Sequence, residues 1–316
     1  MQGNYKRITS HGREKGYVVN LHVLEGCNYK CKHCFAHFES GATLSVEQWK
    51  QAIGNITKKT FVSRFNLAGG EPLMYSGLDD LIEYINAKGM DVSIITNGFY
   101  LTEERIKRFK GEVSMIGISV DSLRPEALRR MGRCTKDNDI IDMSRYVELC
   151  RLVKENGIKM KIDTVVSAEN LHEDFKGFIQ EVYPDRWKVL KMKRFVYNGF
   201  DNTDMEITNE EFKLFCFRHR DVPHIAEVSM RKSYIIIDPA GRLIDNSNDA
   251  NNPIADLLHD DFSQSFASMP FDGELYEERY KDNLKVHFPV PGCAFQKGTN
   301  EKITILVENK RKRAAS

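Results

Sequence analysis

Short apolar runs alternate with longer stretches of helical spacing between about residue 17 and residue 220. The apolar runs predict six strands, at residues 17–24, 61–67, 91–96, 115–120, 159–166 and 187–192. The stretches between them predict five helices, at residues 45–56, 78–88, 102–109, 141–156 and 172–182. Ser45 and Thr102 are typical helix starts, and Gly89 and Gly157 are typical helix stops. Because strands separated by helices pair in parallel through right-handed crossovers, the pattern predicts an α/β fold of roughly six βα units.

The length of the repeating region favours a partial barrel. A full eight-unit barrel needs about 250 residues, so we expect an open (βα)6 barrel instead. After residue 220 the pattern changes: residues 233–238 and 242–244 predict a hairpin, and residues 246–316 have little periodicity, which predicts a loop-rich extension. We therefore divide the chain into a tail (1–16), the barrel (17–230), an extension that closes the barrel (231–285) and a second tail of unknown role (286–316).

Composition narrows the class of protein. The 316 residues are 41% hydrophobic and 29% charged, which is typical of a globular chain with a sizeable core. Forty-six basic against 45 acidic side chains predict no nucleic-acid or anionic-membrane partner, and the basic run at 310–313 is interpreted as a solvated terminus. Since no apolar run approaches the roughly 18 residues of a spanning helix and the first residues are polar, we expect a cytoplasmic protein without a membrane anchor.

Three of the seven cysteines, Cys27, Cys31 and Cys34, fall within eight residues directly after the first predicted strand. Parallel α/β folds place their chemistry at the carboxyl ends of strands. Structural zinc takes four ligands, commonly as two pairs, and the chain has no second cysteine pair, although His33 or His37 could complete a zinc site. Three thiolates in one loop suit a [4Fe-4S] cluster that leaves one iron open to a substrate or cofactor.

This Cys-x3-Cys-x2-Cys spacing resembles the signature of the radical S-adenosylmethionine (SAM) superfamily. Gly69-Gly70-Glu71-Pro72, at the end of the second strand, resembles the superfamily motif whose backbone and acid hold the methionine amine of SAM. Glycines fit there because a ligand pressed against a strand end leaves no room for a Cβ atom. The resemblance implies a [4Fe-4S] cluster and SAM as cofactors. It further implies SAM contacts at Phe35, Asn97, Ser119, Asp121 and Arg133.

Two of these residues also fit turn or cap roles, because Asn97-Gly98 is a ready turn and Asp121-Ser122 could begin a helix.

Charged residues alternate with apolar residues on the fifth and sixth strands. A parallel strand covered by helices turns its apolar side chains to the helices, so Lys159, Lys161, Asp163, Arg186 and Lys188 are expected to face the barrel interior. Desolvating several cations together is costly unless an anion neutralises them, and SAM itself carries a cationic sulfonium. A polyphosphate is the better match. No P-loop or dinucleotide-binding glycine motif occurs, so side chains inside the barrel must hold any nucleotide.

Several segments between residues 17 and 280 resemble the viperin family of radical SAM enzymes. They are Asn20-Leu-His22, Lys161-Ile-Asp163, Arg186-Trp-Lys188, Ser233-Tyr234 and Phe271-Asp272. The resemblance implies a prokaryotic-type enzyme that dehydrates a nucleoside triphosphate to its 3′-deoxy-3′,4′-didehydro analogue, an antiviral chain terminator. The implied enzyme abstracts the 4′ hydrogen of the ribose and releases its 3′ hydroxyl group. An external flavodoxin or ferredoxin is the implied electron donor.

The viperin resemblance also assigns residues to the substrate. The implied triphosphate contacts are Arg64, Lys161, Arg186 and Lys188. Asn20, His22 and Asp163 are implied to contact the nucleotide, and Tyr234 is implied to be catalytic. Vertebrate members have asparagine where Asp163 stands, so the preferred base stays open.

Two other functions stay open at this level. The first is a radical SAM enzyme that acts on a peptide or a cofactor precursor. Many such enzymes have a carboxy-terminal domain with extra cysteine clusters, whereas only Cys216 and Cys293 follow residue 200 here. The second is a non-catalytic iron-sulfur sensor or zinc-stabilised scaffold, which would need neither the glycine turn nor the basic interior.

Overall fold

Strands and helices alternate along the chain as the hydrophobic pattern predicts. The computed structural model describes residues 16–197, 200–280 and 303–306. Its first six strands are β1 Tyr17–His22, β2 Val62–Ala68, β3 Asp91–Thr96, β4 Met115–Ser119, β5 Lys159–Val166 and β6 Arg186–Lys191. The helices among them are α1 Val46–Lys59, α2 Leu78–Ala87, α3 Glu103–Phe109, α4 Pro125–Arg130, α5 Met143–Glu155 and α6 Lys176–Val182. All six predicted strands and all five predicted helices are present, and α4 is additional.

The predicted helix ends are confirmed by their hydrogen bonds. Ser45 and Gln48 form a reciprocal capping box at the start of α1, and the Thr102 side chain accepts from Arg105 N at the start of α3. Gly89 and Gly157 follow α2 and α5 with φ of +78° and +74°, the left-handed conformation that ends a helix. Only α6 begins clearly later than predicted. The Glu173 carboxylate, inside the predicted span, instead accepts hydrogen bonds from Ser122 and Leu123 in the β4–α4 loop.

The segment after β6 contains short elements. They are β7 Val196–Tyr197, β8 Phe200–Asp201, α7 Asn209–Arg218, β9 His224–Glu227, β10 Ile235–Ile237, β11 Arg242–Asp245, β12 Asn252–Asp256, α8 Phe262–Ser268, α9 Gly273–Arg279 and β13 Ile303–Leu306. The predicted hairpin is β10–β11. Residues 246–280 are more regular than the predicted loop-rich extension. These elements are short and carry few apolar residues, so their periodicity is weak. Most of the predicted tail 286–316 lies outside the described residues.

The main sheet has a simple topology. Strands β1 to β6 are neighbours in chain order and all pair in parallel, which confirms the run of βα units. At one edge β10 pairs in parallel with β1 and is followed by antiparallel β11 and β12. At the other edge β9 and then β13 continue in parallel from β6.

The sheet curls until its two halves face each other. If the sheet were flat, β10 and β9 would be separated by seven strand spacings, or about 34 Å. The phenol of Tyr234, the residue before β10, nevertheless donates a hydrogen bond to Glu227 Oε2 on β9 over 2.7 Å. Side chains from both edges therefore meet in the interior, as a partial barrel requires. Within the described ranges, no helix combines the length and apolarity needed to cross a membrane.

Candidate active site at the strand ends and in the barrel interior

The cysteine loop follows β1 and packs against the glycine turn that ends β2. Gly70 N donates to Leu24 O over 2.7 Å and Glu71 N donates to Gly26 O over 2.9 Å, so the turn binds the residues that lead into Cys27. A Cβ on Gly70 would lie 2.1 Å from Gly26 O. The chain's own backbone, rather than a ligand, therefore already requires glycine at this position.

Glu71 is wholly buried, and protein donors occupy its carboxylate. Oε1 accepts from Thr96 Oγ1 over 2.6 Å and from Leu73 N over 3.1 Å, and Oε2 accepts from Asn97 N over 2.8 Å. Burial raises the pKa of this carboxyl group, and the three donors oppose that shift. Glu71 thus fixes the glycine turn to the end of β3.

The cysteine sulfurs receive N–H donors from several segments. Tyr29 N and Ala36 N each donate to a sulfur over 3.4 Å, to Cys27 and Cys34 respectively, and Arg133 Nη1 lies 3.9 Å from Cys31 Sγ. Burial raises the pKa of all three thiols, that of Cys34 to about 11. Soft ligands with N–H groups aimed at sulfur match the environment of an iron-sulfur cluster, whose binding displaces the thiol protons. In the part of the chain that is described, no three His, Cys, Asp or Glu side chains form a group able to hold a single metal ion.

A buried ion network joins this loop to the end of β4. Asp121 Oδ2 contacts Arg133 Nη1 over 2.9 Å and His33 Nε2 over 3.0 Å, while Oδ1 accepts from Val165 N. Each of these three side chains is more than nine-tenths buried. Although burial opposes it, Arg133 with His33 lowers the pKa of Asp121 to about 2. Arg133 also donates to the Ser119 carbonyl, so three of the predicted SAM-contacting residues belong to one network that includes the cysteine loop.

The other two predicted SAM contacts lie on the inner side of the loop. Asn97 Nδ2 donates to Asn28 Oδ1 over 2.8 Å and lies 3.8 Å from Cys27 Sγ. Phe35 packs against the small apolar cluster that contains Tyr234 and meets the His22 ring edge-on at 5.8 Å. The loop that carries the cysteines therefore borders residues predicted to bind the nucleotide.

Strand register places the predicted phosphate contacts beside the SAM-contacting residues. Ser119, Asp163 and Lys188 are aligned across β4, β5 and β6. Lys161 and Arg186 lie two residues earlier, about 6.7 Å down the same face. The prediction that these side chains share one face is supported by the strand register. Lys159 lies on the same face by alternation, but its position at the very start of β5 leaves its side chain exposed instead of in the interior.

Lys161 and Asp163 form an interior ion pair. Their Nζ and Oδ1 atoms are 2.7 Å apart, and both side chains are only slightly exposed. Gly117, which pairs with Lys161 on the neighbouring strand, leaves room for the pair, because a Cβ there would lie 3.2 Å from Asp163 Oδ2 and 2.5 Å from Ile95 Cδ1. Asp163 thus already has a partner on its own strand.

Lys188 lies in a second group that sequence reasoning missed in part. Its Nζ contacts Glu227 Oε1 over 2.6 Å and donates to the Tyr234 hydroxyl, which in turn donates to Glu227 Oε2. Arg279 Nε also contacts Glu227 Oε1, over 3.0 Å. Glu227 lies in a strand of four residues, which is too short to show periodicity. Arg279 follows several glutamates in α9, a pattern typical of a solvated helix face. Neither residue was therefore predicted from the sequence.

These carboxylates change the charge balance expected of the interior. The sequence predicted a basic interior with one carboxylate, Asp163, beside Lys161, and these two residues do pair. It did not predict Glu227, which pairs with Lys188. Arg64 is 3.5 Å from Asp91, and both Arg64 and Arg186 lie within electrostatic reach of the Tyr280 phenol. The cations are Arg64, Lys161, Arg186, Lys188 and Arg279, and the facing carboxylates are Asp91, Asp163 and Glu227. Among the described residues, these five cations and three carboxylates, of which Asp91 is largely exposed, leave a surplus of two positive charges when Lys188 is protonated.

Two predicted nucleotide contacts on β1 are buried and uncharged. Asn20 accepts from Asn66 Nδ2 over 2.8 Å and donates to Ile235 O over 3.0 Å. Burial lowers the pKa of His22 to about 3, so its ring is neutral, and no partner for Nδ1 lies among the described residues. A neutral ring nitrogen of this kind can bind a ligand hydroxyl or a base edge.

Comparison with known proteins gives one consistent family. The radical SAM superfamily model matches residues 21–182. The chain is 35% identical over 271 residues to the S-adenosylmethionine-dependent nucleotide dehydratase of Selenomonas ruminantium, covering 84% of this chain and 98% of that protein. It is 26% identical over 276 residues to the S-adenosylmethionine-dependent nucleotide dehydratase RSAD2 of Oncorhynchus mykiss, covering 83% and 78%.

A solved structure shows the same fold. The chain superposes on native anSMEcpe with bound AdoMet and the Cp18Cys peptide with a TM-score of 0.61, covering 88% of this chain and 86% of that one at 15% identity. At so low an identity the likeness concerns the fold alone.

Proposed function

Because this chain belongs to the radical SAM superfamily and, within it, to the S-adenosylmethionine-dependent nucleotide dehydratases, we propose that it converts a nucleoside triphosphate to its 3′-deoxy-3′,4′-didehydro analogue. The observation that carries the proposal is the register of Ser119, Asp163 and Lys188 across three neighbouring strands. It sets a surplus of interior cations directly beside the network that includes the cysteine loop. A substrate whose phosphates lie on those cations would hold its ribose close to SAM.

The [4Fe-4S] cluster and SAM that this superfamily uses supply the radical chemistry, with abstraction of the 4′ hydrogen and loss of the 3′ hydroxyl as the outcome. Cys27, Cys31 and Cys34 bind the cluster in this proposal. The backbone of Gly69 and Gly70, with Phe35, Asn97, Ser119, Asp121 and Arg133 around it, forms the SAM site. Within it, the Asp121–Arg133 pair and Glu71 act by fixing the loops, because both carboxylates and the two terminal nitrogens of Arg133 are already bonded to the protein.

The nucleotide occupies the interior. Arg64, Lys161, Arg186 and Lys188 bind the triphosphate by charge-assisted hydrogen bonds. Asn20 and His22 on β1, and Asp163 on β5, face the nucleoside from opposite sides of the curled sheet. Tyr234 contacts Lys188 through its hydroxyl and shares an apolar cluster with Phe35 of the cysteine loop, which fits it for contact with the reacting sugar.

We further propose a flavodoxin or ferredoxin as the electron donor, since low-potential clusters need a low-potential reductant. The product would act as a chain terminator in antiviral defence, and the enzyme would work in the cytoplasm without binding nucleic acid or a membrane.

The test is anaerobic turnover of the reconstituted protein with SAM, a reductant and each of the four ribonucleoside triphosphates. We expect 5′-deoxyadenosine release to rise severalfold with at least one triphosphate, together with a nucleotide product that has lost one water, detected by mass spectrometry. The matching monophosphates serve as controls and should stimulate far less. Equal stimulation by mono- and triphosphates, or 5′-deoxyadenosine formation with an unchanged nucleotide, would contradict the proposal.

A further inference from the structure

Glu227 on β9 contacts both the neighbouring strand β6 and, across the curled sheet, the residue before β10. Its carboxylate has no exposed surface and both oxygens are used. Oε1 contacts Lys188 Nζ over 2.6 Å and Arg279 Nε over 3.0 Å, and Oε2 accepts from the Tyr234 hydroxyl over 2.7 Å. One buried anion thus holds groups from β6, from α9 and from the residue before β10.

Arg279 holds the same tyrosine from the other side. Its Nη1 donates to both the carbonyl and the hydroxyl of Ser233, and its Nη2 donates to Ser229 O over 3.3 Å. Its guanidinium carbon lies 3.8 Å from the centre of the Tyr234 ring. All of its nitrogens are therefore committed to protein partners, so Arg279 fixes the chain around Tyr234 instead of reaching for a ligand.

We infer that Glu227 and Arg279 form a buried positioning pair that sets the place and the charge of Lys188 and the place of Tyr234 for nucleotide binding. This inference rests on the proposed function, because it assigns Lys188 to the triphosphate. It makes substrate recognition by the barrel depend on α9, which lies in the carboxy-terminal extension.

The pair controls Lys188 through charge. Burial lowers the pKa of Lys188 to about 7, Glu227 opposes that shift, and Lys161 and Arg279 add to it. The titratable or charged groups facing Lys188 are Lys161 and Asp163 on β5, Glu227 on β9, Tyr234 before β10, and Arg279 and Tyr280 at the end of α9. The pKa of Glu227 is lowered to about 2, mainly by Arg279 and then Lys188 against the opposing effect of burial, so Glu227 stays ionised at neutral pH.

The sign of each substitution follows from these contacts. A lysine with a pKa near 7 binds phosphate well below that pH and loses its charge above it, so affinity should fall as the pH rises through neutrality. Glu227→Gln removes the charge that keeps Lys188 protonated and should move this fall to lower pH. Arg279→Met removes a neighbouring cation and should move the fall to higher pH. A pair with only a structural role would move neither.

The experiment is calorimetric titration of the reconstituted protein with inorganic tripolyphosphate and with each of the four ribonucleoside triphosphates, between pH 6 and 9. For Glu227→Gln we expect affinity to fall about tenfold or more at pH 7.5 and to recover at pH 6, with SAM affinity unchanged. For Arg279→Met we expect triphosphate affinity to persist to higher pH than in the wild type. In a separate turnover assay we expect a lower kcat for this variant, because Tyr234 is no longer held in place. Asp238→Asn is the matched control, since Asp238 is also a fully buried carboxylate paired with an arginine, Arg242, but lies in the β10–β11 turn.

The outcomes separate the two proposals. Opposite pH displacements in the two variants would support the pair. If the wild type binds triphosphate and both variants keep its pH profile, or weaken binding equally at every pH, the positioning pair is wrong and the proposed function stands. If the wild type binds neither tripolyphosphate nor any nucleoside triphosphate, both proposals are overturned.

Discussion

The cysteine end and the charged interior of this protein are built in different ways. At the cysteine end the three cysteines lie in one loop, and only the supporting network reaches far along the chain, to Arg133, 102 residues after Cys31. The interior group around Glu227 draws on β6, β9, the start of β10 and α9, so its members are separated by up to 91 residues, from Lys188 to Arg279.

This difference predicts different modes of failure. The cysteine end depends on a motif and on one buried ion network, so a change there should remove the cofactor and leave the interior cations in place. The interior depends on the closure of the sheet, so a change there should weaken nucleotide binding and leave the cofactor bound. Substitutions in one region should therefore leave the ligand of the other region bound.

The largest effect is expected for Cys31→Ala. Without this thiolate the cluster should not assemble, so both its visible absorbance and 5′-deoxyadenosine formation should be lost. Tripolyphosphate affinity should stay within about twofold if the regions are separate. Cys134→Ala, which removes a cysteine outside the loop, is the control and should retain the cluster. Full SAM cleavage by Cys31→Ala would refute the cluster assignment.

A large effect on stability is expected for Arg133→Met. It leaves Asp121 buried without its cationic partner, which costs about 3–5 kcal/mol for pairs of this kind. The double variant Arg133→Met/Asp121→Asn should recover much of that loss in urea unfolding. Arg151→Met, which breaks the exposed Arg151–Glu155 pair on α5, should leave the free energy of unfolding nearly unchanged. Simple additivity of the two buried changes would count against a coupled network.

A smaller and more selective effect is expected for Lys188→Met. Triphosphate affinity should fall about tenfold or more, because one charge-assisted contact contributes roughly 1.5–3 kcal/mol, while SAM binding is retained. Lys191→Met, on the same strand but bonded to Asn209, is the control. Equal weakening of mono- and triphosphate binding would show that Lys188 does not contact the phosphates beyond the first.

The smallest effect is expected for Asp163→Asn. Its Oδ1 is already paired with Lys161, so we expect a uniform decrease in kcat/KM for the four nucleoside triphosphates without a change in their order. A direct contact with the base would instead favour bases that donate hydrogen bonds to a carboxylate, such as cytosine and guanine, over uracil. A changed order of the four substrates would therefore assign Asp163 to the base.

Most of the fold and the cysteine end could be predicted because their determinants are local. Periodicity marked β1 to β6, Ser45 and Thr102 marked helix starts, and cysteine spacing marked the loop. The sequence explained the glycine turn only by the close approach of a ligand. In the structure Gly70 also lies against the backbone of Gly26, and no local sequence pattern reveals a contact between segments so far apart in the chain. Short elements such as β12, α8 and α9 were missed because a few residues show too little periodicity.

The sequence by itself determined the order of strands and helices, the position of the cysteine loop after β1 and the presence of cations on the inner faces of β5 and β6, because each follows from neighbouring residues. Only the tertiary structure decided how those cations are balanced. The pairing of β6 with β9 brings Glu227 beside Lys188, the curl of the sheet brings Tyr234 to both, and α9 brings Arg279 to Glu227. An acid in a four-residue strand and an arginine in a charged run look like ordinary surface residues until the fold buries them together, where low dielectric makes their pairing obligatory.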